Sequence, residues 1–152
     1  MNFIQMTLKN TVIRWIKWLT AKLYYEHKYA AKNLMIGYMT RVSNCQFSSY
    51  NTLDTGAVLV NVALGDFSYV ATNSKVTNAE IGKFSCIGPE VIVGLGKHPS
   101  RDFVSVHPIF YSPLRQAQIT FASRPFYEEF AQIKIGNDVW IGNAALIMPG
   151  VT

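Results

Sequence analysis

Cysteine is scarce in this chain, with two residues, Cys45 and Cys86, far apart among 152. Neither has a second cysteine or a histidine at metal-ligand spacing, which argues against a disulfide scaffold and a zinc knuckle. The pair reads as two reduced small residues of a cytoplasmic protein. No apolar run is long enough to cross a bilayer, because Arg14, Lys17 and Lys22 interrupt the N-terminal stretch. The basic, apolar, small-residue order of a secretory signal is missing too. So is any glycine-rich phosphate loop of the P-loop or dinucleotide type. Acids are nearly absent from Met1 to Arg41, where seven basic residues face Glu26 alone, a balance of +6; the remainder balances to −1. A basic segment of this kind suits an anionic membrane surface or nucleic acid. No nucleic-acid motif accompanies it, so no nucleic-acid partner is expected. Apolar residues make up 49% of the chain, enough for the core of one domain.

Thr7–Lys32 has helical periodicity. Leu8, Val12, Trp15 and Leu19 fall on one helical face, and Ile13, Ile16 and Leu23 broaden it. The segment over residues 1–34 reads as a basic amphipathic helix. It either caps the body or lies in a membrane interface through residues 1–32, which would put the protein at the inner face of the membrane.

From Ile36 the pattern changes. Large apolar residues recur at Ile36, Val42, Phe47, Leu53, Leu59 and Leu64, and on through Val70, Val76, Ile81, Ile87 and Val93. The steps of six, five and six add to a larger period of 17 residues. The ladder resumes at Ile135, Ile141 and Ile147. A second column, such as Thr40, Ala57, Ser68, Ser74, Ser85 and Val91, is small or β-branched, and Asn51 breaks it. A six-residue unit fits neither a helix nor a simple strand. It fits a triangular coil in which each unit is a short strand and a corner. Glycines after the apolar position, including Gly37, Gly65, Gly82 and Gly88, are expected to supply unusual backbone angles there. Residues 35–152 are therefore expected to form an all-β parallel β-helix. Its ladder breaks over residues 94–134, an aromatic stretch too long for a plain connection and read as a folded loop walling an active site.

In this arrangement the sequence resembles the hexapeptide-repeat acyltransferases. Three parts carry the resemblance in order: IGKFSCIGP, then GLGKHPS opening the excursion, then IGNDVWIGNAALIMPGV. The resemblance implies a left-handed β-helix, acetyl-CoA as co-substrate without a metal, a homotrimer, and active sites between neighbouring subunits. The segments GKHPS and VHPIFYS are most similar to the saccharide O-acetyltransferases, implying a hydroxyl of a bacterial surface saccharide as acceptor. The alternative acceptor is an antibiotic of the chloramphenicol or streptogramin type.

The resemblance carries His98 over as the general base. A neutral imidazole is poised to take a hydroxyl proton near neutral pH. His107 and Tyr111 are carried to the acceptor side, although His107 reads equally well as a packed loop residue. Trp140, Gly142 and Asn143 are carried to the cofactor side. Asp102 lies four residues from His98 and is a weaker candidate for orienting a histidine. A metal-dependent hydratase on the same coil would need three histidines, and His27, His98 and His107 are poorly spaced for that. The ladder calls for its next apolar residue at 153, so the domain is expected to be truncated at the C-terminus. On that expectation part of the cofactor groove is missing, and an inactive β-helix remains an alternative.

Overall fold

The computed structural model describes residues 11–151. An 18-residue helix, α1 (Thr11–Lys28), is followed by a 3-10 turn (Ala30–Lys32) and twelve short strands. The expected helix thus breaks at Tyr29, and its Thr7–Asn10 portion, with Leu8, lies outside the described residues.

The strands stack as the parallel β-helix that the hexapeptide ladder predicts. One face holds β1 (Met35–Ile36), β4 (Thr52–Leu53), β6 (Tyr69–Val70), β8 (Cys86–Ile87) and β11 (Trp140–Ile141). A second holds β2 (Arg41–Ser43), the first halves of β5 (Val58–Leu64) and β7 (Lys75–Ile81), then β9 (Ile92–Val93) and β12 (Leu146–Ile147). The second halves of β5 and β7 pair with β3 (Gln46–Phe47) and β10 (Ile133–Ile135) as the third. Both long strands turn their corner at an asparagine with positive φ, Asn61 and Asn78. Met35 pairs with Thr52, Thr52 with Tyr69 and Tyr69 with Cys86, a 17-residue register throughout. Trp140 then pairs with Cys86, 54 residues on, so the excursion inserts 37 residues into one coil.

The ladder of large apolar residues fills the core, with Leu53, Leu59, Val70, Val76 and Ile87 fully enclosed. The smaller column is not merely small. Ser74 Oγ donates to the Gly88 carbonyl at 2.7 Å and accepts from Val91 N at 3.1 Å, bridging one coil to the next. Ser68 does the same through Gly82 O and Ser85 N. Asn51, the outlier of the column, is buried and accepts from Ser48 N while donating to Gly65 O and Ser68 O. Its amide joins coils that a serine joins elsewhere.

The glycines have a different reason from the one expected. Gly37, Gly65, Gly82 and Gly88 are not at positive φ. A Cβ on any of them would come within 2.8 Å of backbone in the next coil. Positive φ falls two residues later, at Met39, Phe67, Phe84 and Glu90. Left-handed backbone costs a residue with a Cβ about 1–2 kcal/mol. At one corner Tyr50, Phe67 and Phe84 offset it by stacking nearly parallel, with centroids 5.2 Å apart.

Helix α1 closes the first coil. Trp18 Nε1 donates to Gly37 O at 2.9 Å. Glu26 accepts from Ile36 N and Lys22 donates to Ile36 O, satisfying the outer edge of β1. Tyr25 and Tyr29 pack edge-on against Phe47. Among the described residues no helix is long and apolar enough to cross a membrane. The excursion ends earlier than the ladder indicates: Ile133, counted within it by sequence, is already a buried rung of β10.

Replacing Ser74 by alanine strands both the Gly88 carbonyl and the Val91 amide. The expected loss is about 1–3 kcal/mol in a denaturant titration. An unchanged midpoint would show that the serine bridges do not hold the coils together.

Candidate active site

The excursion leaves at the corner between the second and third faces. An amide ladder runs along that corner, Asn44 Nδ2 to Asn61 Oδ1 at 2.8 Å and Asn61 Nδ2 to Asn78 Oδ1 at 2.9 Å. It stops where Gly94 redirects the chain. Gly94 has a φ of +85°, and a side chain there would strike Thr77 O. Thr77 Oγ1 donates to Gly94 O at 2.6 Å, and Lys97 N donates to Glu129 O at 3.0 Å, tying the two ends of the excursion together.

The excursion has a small core of its own. Tyr111 is completely buried, and Phe103, Tyr111 and Tyr127 meet edge-on at 5.8–6.4 Å. Glu129 is also buried, and its Oε2 accepts from Gln116 Nε2 at 2.8 Å. Burial first, then the charge of Glu129 and the neighbouring Tyr127, pushes the Tyr111 phenol above the usual range, so it stays protonated at neutral pH.

This core holds His98 from below. The imidazole is exposed, yet its Nδ1 lies 2.9 Å from the Val106 carbonyl and 2.7 Å from Tyr111 Oη. A carbonyl only accepts, so the Val106 contact requires the hydrogen on Nδ1. The Tyr111 oxygen can accept from the same hydrogen. In the neutral ring Nε2 then keeps its lone pair and makes no hydrogen bond among the described residues. That is the tautomer a base needs.

The other sequence candidates divide. His107 Nδ1 accepts from Ile109 N at 3.3 Å, capping the 3-10 turn Pro108–Phe110. Its Nε2 therefore carries the hydrogen in the neutral ring, and it serves as a donor. Tyr111 sits beneath His98, out of solvent. Asp102 is exposed and bonds neither histidine among the described residues. His27 lies on α1, and no three metal-ligating side chains gather among the described residues. Trp140 is 79% exposed on the first face, outside Cys86. Gly142 and Asn143 follow at the next corner, where nothing lies within 4 Å of a Cβ built on Gly142. No hydrogen bond or ring contact among the described residues joins these three to His98. Beside the root of the excursion, Thr77, Ile92, Leu95 and Phe130 bound a groove of about 390 Å³ on the second face.

Sequence reasoning missed the supporting role of Tyr111, the Val106 carbonyl and buried Glu129. Nothing in the sequence separates Glu129 from its neighbour Glu128 as the carboxylate that turns inward. At a pH where the ring is neutral, the nitrogen-15 spectrum of His98 should place the hydrogen on Nδ1. A ring protonated mainly on Nε2 would leave no basic lone pair facing solvent.

No family model and no solved structure matches this chain. A chloramphenicol acetyltransferase from Morganella morganii is 36% identical over 74 residues, covering 47% of this chain. The chain spans about a third (34%) of the length of that curated relative.

Proposed function

We propose that the chain belongs to an acetyl-CoA-dependent O-acetyltransferase in which His98 is the general base. The observation that carries this reading is the exposed imidazole fixed through Nδ1 by Val106 and buried Tyr111, with Nε2 free. Acetyl-CoA supplies a thioester whose carbonyl carbon accepts a nucleophile. His98 Nε2 removes the proton from an acceptor hydroxyl as its oxygen bonds to that carbon. The imidazolium returns the proton to the departing sulfur. General-base help of this kind is typically worth about 10²–10⁴ in rate. Trp140, the bare backbone at Gly142 and exposed Asn143 fit the pantetheine arm, since an exposed indole stands beside open space there.

Trp140 lies on the first face of the coil stack, whereas His98 belongs to the excursion, which leaves at the corner between the second and third faces. A homotrimer, a closed ring of like contacts, would bring the first face of one copy to the excursion of the next and complete the site. The acceptor proposed first is a saccharide hydroxyl, on the similarity of GKHPS and VHPIFYS. The chloramphenicol acetyltransferase match supports an antibiotic hydroxyl as the second reading.

His98→Ala should lower acetyl transfer by about 10² or more with an unchanged circular-dichroism spectrum. Near-full activity in that variant would remove His98 as the base. Trp140→Ala should weaken acetyl-CoA in a calorimetric titration and leave the acceptor KM alone. Running a saccharide and chloramphenicol side by side decides the acceptor. Light scattering that shows a monomer at micromolar concentration would rule out a site shared between copies.

A further inference from the structure

The N-terminal helix and the first coil enclose a groove that the acetyl-transfer site does not use. Its volume is about 360 Å³, within the range of small-molecule sites. Arg14 and Lys17 come from one flank of α1, and Arg41 from β2. Trp18, Ala21 and Val42 supply apolar wall.

These three cations are unusual in the molecule. Most others are engaged: Lys22, Lys83 and Lys134 pair with acids, Lys28, Lys32 and Lys97 lie over tyrosines, and Arg124 lies over Phe126. Among the described residues six basic side chains have no hydrogen bond, ion pair or ring contact: Arg14, Lys17, Arg41, Lys75, Arg101 and Arg115. Half of these six converge on this one groove, and no described acid lines it. Like charges brought together without a counter-charge repel, so their convergence favours an anion between them.

Both walls are fixed. Trp18 is held by its bond to Gly37 O and by Tyr38 edge-on at 5.0 Å. Buried Thr40 donates to Gly37 O and Asp54 O beneath the opposite wall. The cations therefore project from rigid elements, so the backbone positions of the three need no rearrangement on binding.

We propose that this groove binds a phosphate ester. The phosphate would lie against Arg14, Lys17 and Arg41, and the organic part against Trp18 and Val42. Two guanidinium forks and an ammonium match a dianion with several acceptor oxygens better than a single carboxylate. The site is distinct from the proposed acetyl-CoA contacts, because β2 and the Trp140 strand β11 lie at opposite ends of the stack. The phosphate has two possible sources, a soluble ester or the headgroup of an anionic lipid. Val12, Ile16 and Leu23 form an exposed apolar stripe almost opposite Arg14 and Lys17 on the helix, which makes a lipid arm necessary in the test.

The test titrates inorganic pyrophosphate into the full chain by calorimetry, and sediments the chain with phosphatidylglycerol or phosphatidylcholine vesicles. Pyrophosphate binding that weakens about tenfold in Arg41→Gln or Lys17→Gln, and falls with added salt, supports the proposal with a soluble source. Arg115→Gln, which removes a cation elsewhere, and Trp140→Ala should leave it unchanged. Sedimentation with phosphatidylglycerol alone, lost in Arg41→Gln, supports the lipid source. Thermal melts check that each variant folds. Failure of both probes, or binding indifferent to Arg14, Lys17 and Arg41, overturns the proposal. Loss of acetyl transfer in His98→Ala is independent of either result.

Discussion

Each of the first coils hydrogen-bonds to the coil 17 residues on, the last one keeps the same stacking across the excursion, and that register constrains nearly everything else. In a stack this close, each interior position sees its own kind above and below. A serine at such a position can donate forward and accept back, as Ser74 and Ser68 do. A corner asparagine can bond the next asparagine, and a corner aromatic can stack on the next aromatic. The same closeness forbids a Cβ where the coils nearly touch, which is why Gly65 faces Gly82. Parallel pairing gives long-range contacts without long-range chain reversal, since each turn simply lands on the last.

A coil stack leaves its faces flat and offers no cleft of its own. Chemistry has to be added by interrupting the ladder. The interruption falls at a corner, where strands already end and the register of the faces is not disturbed. Ile133 rejoins Ala79 as though the preceding residues were absent. The inserted segment is therefore free to fold on its own terms, around Tyr111 and Glu129, and it holds His98 at its exterior.

The same logic separates the molecule into two chemically different ends. Near the first coil, the docked helix satisfies the outer edge of β1 and leaves Arg14, Lys17 and Arg41 around a groove. Near the last rungs, Trp140 stands exposed on the first face.

The ladder itself was legible in the sequence, because an interior column repeated every 17 residues can be read without knowing how the chain turns. Ile36 to Val93 all fall where the repeat puts them, and His98 lies just after Val93. The supporting residues were not legible. Tyr111, Val106 and Glu129 belong to a segment without period, so no spacing announces which of its aromatics turns inward. The glycines were found for the wrong reason, since the sequence shows a missing side chain but not the neighbouring coil that requires it. Asn51 broke the small-residue column for the same cause: its amide is right only once Gly65 and Ser68 lie beside it. Repetition along the chain determined the coil and the position of its interruption, and the family resemblance, not the repeat, marked His98 as the candidate base. Contacts between residues distant in sequence decided the tautomer of His98, the exposure of Trp140 on the first face, and the meeting of Arg41 with the helix. Those contacts depend on burial and on side-chain direction, which one-dimensional spacing does not encode.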